Sequence, residues 1–169
     1  MAKSILVAYA SKYGATKEIA EKIGEVLRQA GLQADVSSVE GVRDLTRYQA
    51  VILGSALYIG KWQKEAVKFM QANAKSLAER PVWLFSSGPT GKGDPVTLVK
   101  GERLPATLQP LVDRIHPRDI AVFHGYIDPE RVNFIEKWAV QKLVKAPMGD
   151  FRDWNMICGW ASTIANALK

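Results

Sequence analysis

Apolar residues follow two patterns along the 169-residue chain. Short continuous runs occupy Ile5 to Tyr9, Ala50 to Ser55, Pro81 to Ser86 and Ile120 to His124, and Gln33 to Ser38 alternates. Between them, apolar positions recur with a helical period. Ile19, Ile23, Val26, Leu27 and Ala30 stand at offsets 0, 4, 7, 8 and 11, one face of a helix. A second stripe, Ala66, Val67, Met70, Ala74 and Leu77, predicts a helix from Lys64 to Leu77. A short helix is expected from Leu108 to Ile115, and a last one carries Trp154, Ile157, Cys158, Ala161, Ile164, Ala165 and Leu168. Strands alternating with helices at this spacing predict βαβ units and a parallel sheet buried on both faces. Gly31 reads as the residue that ends the first helix. No repeat or second domain is visible, so residues 1–169 read as one domain.

The first strand stops abruptly at Ser11-Lys12-Tyr13-Gly14-Ala15-Thr16, where a glycine and hydroxyls replace apolar side chains and a helix begins. The free N–H groups and the positive dipole end of that helix point into the loop. Ser11, Tyr13 and Thr16 offer hydroxyl donors, Lys12 a charge, and Gly14 a backbone that closes on a ligand. Together they form a cradle for a phosphate monoester. Strand, polar turn and helix also occur throughout α/β proteins, where such hydroxyls are ordinary helix caps. The third and fourth strands end alike, in Gly54-Ser55 and in Ser86-Ser87-Gly88. After the third, Ala56 to Trp62 forms a second loop with Tyr58 and Trp62 as aromatic candidates and Gly60 permitting close approach. After the fourth, about 87–107 lacks clear periodicity and reads as a long, modestly basic loop carrying Lys92, Lys100 and Arg103.

The spacing Tyr9-x-Ser11-x-x-Gly14-x-Thr16-x-x-x-Ala20, followed by Ile23, resembles the flavodoxin signature. It is neither a dinucleotide fingerprint nor a P-loop, because G-x-G-x-x-G and Gly-Lys-Ser/Thr are absent. The resemblance implies a flavodoxin-like, doubly wound, five-stranded parallel sheet in the order 2-1-3-4-5, with helices on both faces. It implies FMN as cofactor, with its phosphate in the first loop. The residues it assigns to FMN are Ser11, Lys12, Tyr13, Gly14, Ala15, Thr16, Ser55, Ala56, Leu57, Tyr58, Gly60, Ser86, Ser87, Gly88 and Pro89. Two departures stand out. Ala8 replaces a bulkier core residue, and no aromatic follows Phe85 before His116, where flavodoxins place one over the outer flavin face.

Charge changes the functional picture. Lys and Arg number 23 against 17 Asp and Glu, a net +6, whereas soluble flavodoxin shuttles are acidic. A basic surface favours anionic partners, but no nucleic-acid motif is present. Asp128-Pro129-Glu130 signals a helix start. The helix expected there, to about Lys145, is basic and amphipathic, with Arg131, Lys137, Lys142 and Lys145 against Glu136 and with Phe134 and Trp138 widening its apolar arc. Such a helix suits a membrane interface, although packing both aromatics in the core is the equal alternative. No run approaches a membrane span and no signal-peptide core opens the chain. One cysteine, Cys158, excludes an internal disulfide, lies in the core stripe of the last helix, and fits the cytoplasm. His116 and His124 stand apart, so no metal site and no catalytic side chain is nominated.

Within the flavodoxin fold the chain resembles most the menaquinone-dependent protoporphyrinogen oxidase branch. The Ser-Lys-Tyr-Gly-Ala-Thr loop, the long segment after the fourth strand and the basic charge with Trp138 carry that likeness. It implies an FMN-dependent oxidoreductase moving electrons from a bulky, porphyrinogen-like substrate to a quinone, at the cytoplasmic face of the membrane. The alternatives are an electron-carrying flavodoxin and an NAD(P)H:quinone reductase. A redox substrate or redox protein is the expected partner, with peripheral membrane attachment and a homodimer as further options, and no nucleic acid.

Overall fold

A computed structural model describes residues 4–128, 130 and 147–169. Five parallel strands form the body: β1 (Ser4–Ala10), β2 (Ala34–Ser38), β3 (Tyr48–Tyr58), β5 (Val82–Ser87) and β6 (Asp119–Phe123). A two-residue strand β4 (Lys61–Trp62) folds back on β3. The order β2-β1-β3-β5-β6 is the expected doubly wound arrangement, with β4 as an addition at the edge of the path. Register follows the apolar runs: Val7 pairs with Val36 and Ile52, and Ile52 with Trp83.

The central strands β1, β3 and β5 feed both faces alternately. Leu6, Ala8, Val51, Leu53, Val82 and Leu84 join one core, under α2 (Lys64–Ala72), α3 (Ala74–Ala78) and α5 (Gln109–Ile115). Ile5, Val7, Ala50, Ile52, Trp83 and Phe85 join the other, under α1 (Ala15–Gln29) and α6 (Trp154–Leu168). This explains the unbroken apolar runs, because a strand covered on both faces has no polar side to show. The stripe read in α1 is the buried one, with Ile19, Ile23 and Leu27 wholly inaccessible. Such burial stabilises by about 1.5–3 kcal/mol per side chain. Helix α1 ends with Gly31 N donating to Arg28 O (3.0 Å) and Leu32 N to Leu27 O (3.1 Å), the paired bonds of a Schellman stop.

Four expectations change. The helix over 64–77 breaks at Asn73 into α2 and α3, because the Asn73 amide donates to Phe69 O (2.9 Å) in competition with the helical ladder. The segment Ala56 to Trp62 is a hairpin, not an open loop: β3 runs on to Tyr58 and turns at Ile59 and Gly60, both at positive φ (50° and 72°). Those dihedrals make the tight turn whose twist matches the strands. The 87–107 segment contains a short helix α4 (Pro95–Leu98), capped by Asp94 Oδ1 accepting from Val96 N (2.9 Å), and a turn at Ala106–Leu108. It is tied to the body through Ser86 Oγ donating to Arg103 O (2.8 Å) and Arg103 Nη1 donating to Ile120 O (3.1 Å). Cys158 is half-buried at the flank of the α6 stripe, beside the fully buried Ile157 and Ala161.

The helix expected from Asp128 to about Lys145, with Phe134 and Trp138, lies outside the described residues except for its start, where Glu130 N donates to Asp128 Oδ1 (2.9 Å). On either side of it the chain forms a small antiparallel ribbon, β7 (Tyr126–Ile127) with β8 (Gly149–Asp150).

Candidate functional site

The sheet order reverses between β1 and β3, and in a doubly wound sheet the crevice at that point, beyond the carboxyl ends of the strands, receives ligands. From Ala10 the chain reaches α1 through Ser11 to Gly14. Gly14 lies at φ 97°, ψ −10°, and its N–H donates to Ser11 Oγ (2.9 Å), closing the turn. A residue with a Cβ would lose about 1–2 kcal/mol in that left-handed conformation. Among the described residues no side chain caps α1. The first ladder bond is Glu18 N to Gly14 O (3.1 Å), so the N–H groups of Ala15, Thr16 and Lys17 have no acceptor within the helix. Donors and dipole therefore converge on one spot suited to an anion. Lys12 adds charge there, its Nζ 3.9 Å from the centre of the Tyr58 ring and 5.5 Å from that of Tyr13.

The predicted residues divide three ways. Ser11, Lys12, Tyr13, Ala15, Thr16, Ala56, Leu57, Tyr58, Ser87 and Gly88 line one cavity, with Gly14 forming its turn. Thr16 at the start of α1 and Ser87 at the end of β5 meet inside it through their hydroxyls (3.1 Å), both almost fully buried. Gly60 and Pro89 line a neighbouring cavity that shares Leu57, Ile59 and Gly88 with the first and is otherwise bounded by Thr90, Leu98, Val99, Lys100, Glu102 and Pro105. Ser55 and Ser86 turn inward. Ser55 Oγ donates to Ala56 O (3.0 Å) and accepts from Gln63 N (2.9 Å). Ser86 Oγ accepts from Trp62 Nε1 (2.8 Å), which puts the Trp62 indole in the core at 5 % exposure, away from either cavity. The cavities measure about 130 and 280 Å³, together within the roughly 300–1,000 Å³ of small-molecule sites.

Sequence reasoning missed the far wall, Gly125, Tyr126 and Ile127, and with it Ile59 and Gln63. Gly125 packs against the loop after β5 so closely that a Cβ on it would lie 2.6 Å from Gly88 Cα. The backbones are laced there, Gly88 N to Phe123 O (3.2 Å) and Gly125 N to Pro89 O (2.9 Å). A glycine directly after a strand end, as at Gly88, was the available signal. Ile59 offered none. It is β-branched, lies at φ 50°, and is 52 % exposed at the rim, a conformation that costs on the order of 1–3 kcal/mol.

A second layer stands behind the cradle. Arg152 reaches Ala15 O and Glu18 in the first turn of α1 and forks onto Asp150. That fork is the main cause holding the Asp150 carboxyl below its usual range, and the main cause raising the guanidinium. His124 Nε2 donates to Gly93 O (2.7 Å), fixing the loop after β5 to the end of β6.

A hydroxyl-rich helix start opening on an apolar trough stands at the switch point of a doubly wound α/β sheet, with its donors suited to an anion. Residues 6–153 match the family model described as flavodoxin domain, and the chain belongs to that family. FMN is its cofactor. The cradle meets the chemical demand of the FMN phosphate, and the trough beside it is apolar as a flavin ring requires. Protoporphyrinogen IX dehydrogenase [quinone] of Escherichia coli K12 is 22 % identical over 175 residues, covering 95 % of this chain and 94 % of that protein. An archaeal flavodoxin superposes with TM-score 0.66 at 17 % identity, covering 98 % of both chains. Oxidised flavodoxin 1 of Bacillus cereus superposes with TM-score 0.63 at 15 % identity, over 98 % of this chain and 99 % of that one. Among the described residues no helix is long and apolar enough to cross a membrane, and no cluster of metal-ligating side chains occurs.

Proposed function

We propose that this protein is an FMN-dependent oxidoreductase that takes electrons from a bulky, porphyrinogen-like substrate and delivers them to a quinone-type acceptor. The observation that carries this reading is the second cavity. The chain between Ser87 and Pro105 has no aromatic residue. It presents Pro89, Leu98, Val99 and Pro105 around a space contiguous with the cofactor trough. A carrier that meets its partner only at a flavin edge has no use for such a space, whereas its apolar lining, with Lys100 at the margin, suits one edge of an apolar, carboxylate-bearing macrocycle. The likeness to the Escherichia coli dehydrogenase over nearly its full length agrees.

In this reading Ser11, Thr16, Lys12 and the N–H groups of Ala15, Thr16 and Lys17 hold the phosphate of FMN. Leu57, Tyr58 and Ile59 would line the trough that takes the ring, and Gly60, Ser87, Gly88 and Pro89 the space beside it. FMN supplies the two-electron chemistry, while the protein supplies placement and electrostatics. Pro89 has no N–H to give, so its part is shape and its carbonyl, which accepts from Gly125 N. Ser55 and Ser86 act one step back, by fixing the hairpin and the insert. The basic stretch from Arg131 to Lys145 supports peripheral attachment to an anionic membrane, where quinones are dissolved, each cation near the surface adding about 1 kcal/mol.

Anaerobic mixing of the FMN-loaded protein with protoporphyrinogen tests the reaction, followed by a water-soluble quinone. Bleaching of the flavin absorbance by the first and its return with the second are expected. A flavin that stays oxidised with the porphyrinogen, yet exchanges electrons with a redox protein, would make the chain a carrier. Co-sedimentation with anionic and with neutral vesicles, at low and high salt, tests the attachment. Equal pelleting in all four conditions would refute it.

A further inference from the structure

Arg152 lines neither cavity, yet it touches both walls of the first. Its side chain is 6 % exposed. Nη1 donates to Ala15 O (3.3 Å) and to Glu18 Oε1 (3.1 Å) at the start of α1. Nε and Nη2 donate in parallel to the two oxygens of Asp150 (2.9 and 2.8 Å). The guanidinium carbon lies 5.2 Å from the centre of the Tyr126 ring and 4.8 Å from that of Trp154. Tyr126 and Ala15 both line the cavity. One side chain thus ties the start of α1 to Tyr126 on the cavity wall, and only a flat, five-donor cation can make these contacts together.

Charge gives the arrangement a second role. Glu18 stands in the first turn of α1, where a carboxylate competes with a phosphate for the same helix end. Asp150 adds another negative charge nearby, and Arg152 is bonded to both. We propose that Arg152 is a positioning residue for the cofactor phosphate, holding the start of α1 against the Tyr126 wall and shielding the phosphate from Glu18 and Asp150. The inference rests on the cradle binding the phosphate of FMN.

Riboflavin, which lacks the phosphate, separates this role from plain stability. Binding of FMN and of riboflavin to the apoprotein is measured by flavin fluorescence for the wild type, Arg152→Met and Glu18→Gln. Arg152→Met should weaken FMN by about tenfold or more, the effect of uncovering a charge at partly buried range, and riboflavin far less. Glu18→Gln, at a side chain 51 % exposed, leaves the fold intact and should tighten FMN several-fold with riboflavin unchanged. Should Arg152→Met fail to fold, Glu18→Gln together with Arg152→Lys, which keeps the charge but not the fork, decides the matter by the same ratio. Equal losses for both flavins in the Arg152 variants, or a Glu18→Gln that leaves the FMN-to-riboflavin ratio where it was, would reduce Arg152 to a structural staple. A wild type that binds both flavins equally would instead overturn the cradle assignment, and this inference with it.

Discussion

The two edges of the sheet are built from the same elements and end in opposite chemistry. At the carboxyl edge the strands meet helix starts, with N–H groups left over and partial positive charge. At the amino edge they meet helix ends, with carbonyls left over and partial negative charge. The amino edge is closed by arginines. Arg28 Nε donates to Ala34 O (3.0 Å). Arg80 Nε donates to Ser76 O (2.8 Å), and its Nη1 to Tyr48 O (2.7 Å) and to Leu45 O. Arg47 bridges Asp35 (2.6 Å) and the Tyr48 hydroxyl (2.9 Å). Among the described residues the start of α1 at the carboxyl edge has no side-chain cap, and its hydroxyls and N–H groups converge on a cavity. An edge whose backbone groups are satisfied from within is structural, and an edge that keeps its donors is the one prepared for a ligand.

The contrast can be broken from either side. Arg80→Ala should cost the most, about 2–3 kcal/mol of stability, because it strands several carbonyls at once. Urea unfolding should show that loss with FMN affinity nearly unchanged; a matching fall in affinity would mean the edges are coupled. Thr16→Ala should do the reverse. Losing a hydroxyl bonded to an ionised phosphate weakens FMN by about 1–2 kcal/mol, and unaltered affinity would make Thr16 only a partner for Ser87. The smallest effect is acidic. The Arg152 fork depresses the Asp150 carboxyl below its ordinary 3.8, so its contribution is complete above that pH. It is lost as pH falls through the depressed value. Asp150→Asn should therefore be less stable than wild type at neutral pH and converge with it in strong acid. A constant gap down to about pH 2 would show that the charge is not involved.

The same contrast explains what could be read from sequence. The strands were legible because burial on both faces leaves unbroken apolar runs, and the cradle because hydroxyls and Gly14 interrupt one sharply. The basic balance was harder to interpret. Arg28, Arg47, Arg80, Arg103 and Arg152 all bond carbonyls or carboxylates within the chain, so part of the +6 charge serves the fold and says nothing of a partner. Helix α4 carried in Asp94-Pro95 the start signal read at Asp128-Pro129, but its four residues are too few to show a period. The hairpin tip hid because Ile59 takes a backbone conformation its side chain opposes. Arg152 could not be found at all, since its partners Ala15 and Glu18 lie 137 and 134 residues away and no local pattern joins them.

The ribbon of β7 and β8 bears on how such a chain can change its length. Ile127 pairs with Gly149 and Tyr126 with Asp150, so the polypeptide departs and returns at neighbouring points. The entropy of closing such an excursion grows only with the logarithm of its length. Residues can be gained or lost between these two ends without shifting the register of any parallel strand, or the Arg152 contacts just beyond them. The position is a natural splice point, where a segment addressing a new surface could be exchanged while the cofactor machinery stays as it is.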